Sequence, residues 1–457
     1  MLNPRLRTLW LANVVVGTAA VAVRAQRPVA AVATARHPVL AADLEVVTVT
    51  DTTVILTWTT RTRDDTGRLR PVAADTEVRL APSDGRGPAR PHYVDTAPTA
   101  YHYAEITGLE PGRSYSFEAY SAGRRAVPSR THVTRRAGTP EATGVFTTLT
   151  PPPGRLLRTV ALANDLHYGE RGSGPLVPEL VTRHREDTGE YPEFMFGAIL
   201  EDLRLPDRAA DNLVVAGDLT DSGTAEQSRS VREHLDAWGE LGRDYFVCRG
   251  NHDVAQGTSE DAWGAHFHPW RQLVVDEVGG LRLVGLDTTA PRGSGGAIGG
   301  TQLDELGEIL RADPDRPTLV YGHHPVTRQA AVSNPGGPGF VLARADAEAL
   351  HNLYRHAPGV FLHHSGHTHR TRRTRPDSGI DVEFLEIAAA KEYPGGYMML
   401  RVYEGGYMVN FYKTRAEPAR RWSTRTRRQY LGLHPDHALG SCADRNHVVL
   451  RDFRGLR

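Results

Sequence analysis

Cysteine is almost missing from this chain: Cys248 and Cys442 are the only two in 457 residues, too few for a disulfide framework. Cys248 falls in an apolar run that reads as a core strand, where a thiol behaves as a small hydrophobe. An excess of either charge is missing as well. Lys and Arg total 54, and so do Asp and Glu, so no global field recommends nucleic acid or an anionic membrane as a partner. Long apolar runs are lacking too. The best candidate, Leu9 to Val23, is broken by Asn13, Gly17 and Thr18 and is too short and polar to span a bilayer. Arg5 and Arg7 precede it and Ala33-Thr34-Ala35 follow, the outline of a weak signal peptide within a leader over residues 1–41. Arg24 and Arg27 directly behind the run, and the lack of a twin-arginine pair, leave export only narrowly favoured over a cytoplasmic location.

What is present is an ordinary globular composition, 40% hydrophobic and 24% charged, with a length that suggests two or three domains. Leu44 to Val49, Thr53 to Thr59, Glu77 to Ala81, Tyr101 to Ile106, Ser114 to Ala122 and Gly144 to Thr148 are short β segments without helical period, the pattern of an all-β sandwich over residues 42–149. Pro151-Pro152-Pro153-Gly154 is a stiff connector. Over residues 155–415, strand and helix patterns alternate: Val231, Leu235, Trp238 and Leu241 have helical spacing, as do Leu303, Leu306, Ile309 and Leu310. Gly396 to Tyr403 and Tyr407 to Lys413 fold into a hairpin. The arginine-rich extension over residues 416–457 is expected to be a solvated arm on the outside.

The chemistry gathers where apolar runs stop. Asn212 to Ala216 ends at Gly217-Asp218, with a second acid, Asp221, three places on; carboxylates at the C-terminal edge of a buried strand are where open α/β sheets place their chemistry. Four other runs end alike. Leu156 to Ala163 leads into Asn164-Asp165-Leu166-His167, and Tyr245 to Cys248 into Arg249-Gly250-Asn251-His252-Asp253. Thr318 to Tyr321 leads into Gly322-His323-His324-Pro325, and Val360 to His363 runs on to Gly366-His367-Thr368-His369.

In chain order, from Asp165-Leu166-His167 through Gly217-Asp218 to Gly366-His367-Thr368-His369, the five blocks resemble the signature of the calcineurin-like metallophosphoesterases. Ile106 to Tyr115, with Leu109, Pro111-Gly112 and Tyr115, resembles the fibronectin type III turn with its tyrosine corner. A β-sandwich in front of such a domain is similar to purple acid phosphatases. The likeness departs in two places: His167 stands in the first block, and no tyrosine follows the second, which argues against a ferric tyrosinate centre.

The resemblance implies an α/β (α+β) fold in which a two-sheet β-sandwich flanked by helices follows a fibronectin type III-like sandwich. It also implies hydrolysis of a small-molecule phosphoric ester at a dinuclear metal centre, with a hydroxide shared between two divalent or trivalent ions. Asp165, His167 and His369 would hold one ion and Asn251, His323 and His367 the other, with Asp218 bridging. Mixed nitrogen and oxygen donors suit Mn, Fe or Zn. His252 would donate a proton to the leaving alkoxide with its other nitrogen held by Asp221, whose rival role is to cap the following helix. His266 and His268 read as loop residues, and His324, His363 and His364 as supporting or core residues. Ser222 stands where phosphoprotein phosphatases carry an arginine, and Arg249 reads as structural, so a phosphodiester is favoured slightly over a phosphomonoester. The alternatives are a phosphomonoesterase of the purple acid phosphatase type and a binding protein acting through the sandwich. No nucleic acid partner and no stable membrane span are expected, and the oligomeric state stays open.

Overall fold

Residues 38–84, 89–129, 138–174, 182–183, 191–255, 260–290, 293–375, 379–429 and 434–456 are described by the computed structural model. The leader expected over residues 1–41 lies outside them up to residue 37. Backbone proximity divides the described residues into two compact units: one up to Pro151 with those of Gly172–Arg185 and Arg415–His447, the other made of Pro152–Arg171, Glu186–Thr414 and Val448–Arg457.

In the first unit, runs rich in Val, Thr and Ile become antiparallel strands. Leu40–Val49, Val54–Arg63 and Leu69–Pro71 lie in one sheet with Tyr101–Ile106, and Ala74–Pro82, Arg90–Thr99, Ser114–Ser121, Arg124–Arg125 and Val145–Thr147 in a second. Val46, Leu56, Trp58, Val78, Leu80, Phe117 and Phe146 form its core. Trp58 stacks on His102 with centroids 4.8 Å apart, and the Tyr115 hydroxyl accepts from the Glu110 amide at 3.0 Å. Arg90–Thr99 is not legible as a strand in the sequence. Its side chains are mostly exposed, so no apolar alternation marks it, and Pro91 and Pro98 are tolerated because it lies at the sheet's edge.

The tail corrects its expectation. Residues 416–457 contain the helix Glu417–Thr426 and the strand Asn446–Leu450, with Trp422 and Arg445 buried. Arg427 pairs with Glu45 at 2.7 Å and Asp43 at 3.2 Å, and Arg445 donates to the Val46 carbonyl at 2.8 Å. A solvated arm fails because these guanidinium groups answer buried carboxylates and carbonyls that would otherwise lack partners.

The second unit holds two six-stranded sheets. One runs Tyr245–Cys248, Asn212–Ala216, Leu156–Ala163, Gly396–Tyr403, Gly406–Lys413, Asn446–Leu450; the other runs Val274–Val278, Leu281–Leu286, Thr318–Gly322, Val360–Ser365, Glu383–Glu386, Arg372–Thr374. In the first sheet Tyr245–Cys248, Asn212–Ala216 and Leu156–Ala163 are parallel and Gly396–Tyr403 pairs antiparallel to the last of them; in the second the four inner strands are parallel, and the near-continuous apolar runs of these parallel strands are those of strands covered on both faces. Helices Gly300–Ala312 and Arg344–Arg355 place Leu306, Leu310, Leu350 and Tyr354 against Val284, Val320 and Val360. Phe361 of one sheet meets Tyr407 of the other at 5.3 Å between ring centroids. The architecture is the expected pair of sheets with helices outside, and it brings the C-terminal ends of the parallel strands together. Among the described residues, no helix is long and apolar enough to cross a membrane.

Candidate metal centre

At those strand ends the backbone leaves its ordinary range. Asp165, His167, Asp218, His367 and His369 all have φ between 47° and 65°, left-handed values that cost a side-chain-bearing residue energy and gather at functional sites. Nine non-glycine residues among those described have positive φ, so these five are the majority. Neighbouring glycines make room. A Cβ on Gly250 would come within 2.2 Å of the Asp218 amide nitrogen and carboxylate, and one on Gly366 within 2.5 Å of Asp165 Oδ2.

Among the described residues four overlapping sets of side chains lie close enough to hold an ion: Asp165 with His167 and His369, Asp218 with His323 and His367, and His167 both with Asp218 and His252 and with Glu170 and Asp221; the first two are the expected groups. His369 Nε2 lies 3.2 Å from Asp165 Oδ1. Asp218 Oδ2 is 3.4 Å from His167 Nε2 and 3.1 Å from His323 Nε2, so one carboxylate oxygen faces both groups. His323 Nε2 and His367 Nδ1 are 3.1 Å apart. Asn251 follows Gly250 in the turn whose next amide, that of His252, donates to Asp218 Oδ1 at 2.8 Å.

Electrostatics and unmet hydrogen bonds test whether cations fit here. Burial raises the Asp165 and Asp218 pKa values, but His369 beside the first and His323 beside the second outweigh it and hold both carboxyls well below the usual range. Burial likewise opposes charge on the two imidazoles, yet Asp218 lifts His323 to about 9 and Asp165 lifts His369 to about 10. Burial, with His323 nearby, takes His367 down to about 3. Among the described residues, Asp165 Oδ1, both ring nitrogens of His167, Asn251 Oδ1 and His367 Nε2 are buried without hydrogen-bond partners, although such atoms are normally satisfied. A convergent set of N and O donors that draws protons onto its own imidazoles and leaves lone pairs unmet fits metal cations.

Residues 158–371 match the family model of the calcineurin-like phosphoesterases. Over that stretch the chain is similar to the calcineurin-like phosphoesterases. A probable cyclic nucleotide phosphodiesterase from Synechococcus sp. is 30% identical over 171 residues, 36% of this chain and 60% of that protein. A probable glycerophosphodiester phosphodiesterase from Arcobacter nitrofigilis is 26% identical over 170 residues, 36% of this chain and 58% of that protein. The chain thus spans less than two thirds of the length of these curated relatives. Among solved structures, a purple acid phosphatase from yellow lupin (Lupinus luteus) seeds aligns with a TM-score of 0.42 at 13% identity, over 83% of this chain and 73% of that one.

Around the two donor groups, several supports carry little or no sequence signal of their own. Asp253 accepts from the amides of Leu219, Thr220 and Gly250 at 2.8 to 3.2 Å, tying the second block to the third; burial, with Asp218 adding to it, raises its pKa to about 6. It stands inside the third block, and that position is its only sequence clue. Asn164 donates to Asp165 Oδ2 and to the Ile387 carbonyl at 3.0 Å. Glu392 meets His369, and Lys391 pairs with Glu170 at 2.6 Å; neither pairing is legible from spacing.

Two roles change in detail. The short contact to His252 Nδ1 comes from the Asp221 main-chain carbonyl, at 2.7 Å, while the Asp221 carboxylate lies 4.0 Å away. Asp221 does not cap the helix Ala225–Trp238 either, since Thr224 accepts from the Gln227 amide. Arg249 is structural as expected: it grips Asp261 through two contacts of 2.7 and 2.8 Å and lies 4.5 Å over the Trp263 ring. His324, His363 and His364 are buried beside Thr288, Tyr354 and Asn164 respectively, and His266 and His268 sit in a turn-rich loop outside the ligand groups.

Proposed function

We propose that the protein is a hydrolase of phosphoric esters with a dinuclear metal centre, and that it accepts phosphodiesters at least as readily as phosphomonoesters. The observation that carries the reading is the convergence of the two donor groups on Asp218 Oδ2. Asp165, His167 and His369 would hold one ion, Asn251, His323 and His367 the other, with Asp218 shared. Two such ions, Mn, Fe or Zn, would lower the pKa of a water and neutralise the charge that gathers on phosphoryl oxygens.

The chain's own residues supply orientation and a proton. Protonated His252 carries hydrogen on both ring nitrogens; the Asp221 carbonyl accepts the one on Nδ1, which leaves Nε2–H for the departing oxygen. Burial and neighbouring His167 hold the His252 pKa below that of an ordinary imidazole, which makes the ring a readier donor.

The preference for diesters rests on the cations beside the site. A dianionic monoester is usually met by a free arginine or lysine. Here Ser222 follows Asp221, Arg249 is engaged by Asp261, and Lys391 by Glu170. The two relatives described above both bear the names of phosphodiesterases, which supports the same choice. With metal and pH matched, kcat/KM for bis(p-nitrophenyl) phosphate is expected to equal or exceed that for p-nitrophenyl phosphate. A strong preference for the monoester would overturn the diester assignment and favour the phosphomonoesterase reading.

A further inference from the structure

An imidazole that turns one nitrogen toward a metal position is oriented by what the other nitrogen touches, and that contact also sets the tautomer. His323 Nδ1 lies 2.9 Å from a neutral main-chain carbonyl, that of Ala216. His369 differs: its Nδ1 lies 2.9 Å from Glu392 Oε1 while its Nε2 lies 3.2 Å from Asp165 Oδ1. A carboxylate only accepts, so neutral His369 carries its hydrogen on Nδ1 and turns the Nε2 lone pair toward Asp165. Glu392 is 2% exposed, and its chain segment is tied to the first block. The Ala390 amide donates to the Asn164 carbonyl at 3.1 Å, the Lys391 amide to the Asp165 carbonyl at 3.3 Å, and Lys391 Nζ to Glu170 at 2.6 Å.

We propose that Glu392 is a positioning residue for the Asp165, His167 and His369 group: it holds His369 in the Nδ1–H tautomer and places a second negative charge behind that one metal position. The inference rests on the dinuclear reading above. Removing an outer partner of a ligating histidine lowers metal affinity about 10- to 100-fold. Because Glu392 touches His369, which belongs to the Asp165 and His167 group, the loss is confined to one of two ions.

The test is calorimetric titration of the metal-free full chain with Zn²⁺, together with metal analysis after gel filtration at limiting metal, for the wild type, Glu392→Ala and Glu392→Gln. The expected result is two ions bound by the wild type and, in Glu392→Ala, one ion weakened about 10- to 100-fold beside an unchanged other. Glu392→Gln, which keeps an acceptor oxygen and loses the charge, is expected to show a smaller loss at the same ion. Two ions bound by Glu392→Ala with wild-type affinity overturn the inference and leave the dinuclear reading standing. Equal loss of both ions in Glu392→Ala also overturns it, since the residue would then be supporting the fold. A wild type that binds fewer than two ions overturns the dinuclear reading and the inference together.

Discussion

His102 in the N-terminal sandwich and His167 at the candidate metal centre are both buried, and they meet opposite surroundings. His102 offers Nδ1 to Thr76 Oγ1 at 2.8 Å and Nε2 to Thr60 Oγ1 at 3.0 Å, hydroxyls that can donate or accept as the tautomer requires. Among the described residues His167 has no hydrogen-bond partner on either nitrogen, and the Asp218 carboxylate lies 3.4 Å from Nε2. The acids differ in the same way. Asp43 is held by Arg61 and Arg427, whereas Asp165 and Asp218 face imidazoles. A buried polar group with its partners in place belongs to the fold; one left short, on a backbone in the left-handed region, points to a ligand from outside.

The sharpest way to break this contrast is to remove the residue on which both donor groups converge. Asp218→Ala is expected to lower metal content below two ions per chain and to cut phosphoester hydrolysis by about 10³-fold or more, ~4 kcal/mol in barrier terms. The chain is expected to keep its circular dichroism spectrum, because the surrounding sheet is held by apolar burial. Full activity in a metal-stripped wild type would mean that the donor groups serve the fold, as His102 does.

A smaller effect comes from His252. In His252→Ala, esters with alkoxide leaving groups should lose about 10²- to 10⁴-fold in kcat, while p-nitrophenyl esters, whose phenolate leaves without protonation, lose much less. Asp221→Asn keeps the main-chain carbonyl that contacts Nδ1 and is expected to cost less than tenfold, or ~1.4 kcal/mol. Equal losses on both ester classes for His252→Ala would make the ring a positioning group and remove its role as the acid.

The histidines and acids of the five blocks were legible because parallel strands deliver their ends to one place, so that apolar runs ending in Gly, Asp, Asn or His mark a site before any coordinates are known. Glu392 was not legible: its contact with His369 spans 23 residues, and a partnership set only by the tertiary fold leaves no spacing to read. The tail misled for a related reason. Arginines in a run usually mean solvent, and nothing near Arg427 in sequence announces that Asp43 and Glu45, more than 380 residues away, need its charge. In the sandwich, the apolar strands were readable and the exposed edge strand Arg90–Thr99 was not, because periodicity reports burial and an edge has little.

The mildest prediction returns to His102 and tests whether a satisfied histidine is also a sensitive one. Burial, with a smaller contribution from Arg420, lowers its pKa to about 4, below the ~6.5 of an unfolded chain. Between those values the unfolded state binds the proton that the folded state refuses. The stability owed to neutral His102 is therefore fully present above pH ~6.5, falls by up to about 1.4 kcal/mol per unit as the pH drops, and levels off below the folded value. His102→Phe removes the titration and retains a ring to stack on Trp58. Urea midpoints of wild type and variant, measured from pH 7 to pH 4, should converge as the pH falls, because only the wild type loses this term; other titrating groups act on both proteins alike. Parallel curves would mean that the protonated ring is tolerated among the hydroxyls of Thr60, Thr76 and Ser121, and that these hydrogen bonds do not depend on a neutral imidazole.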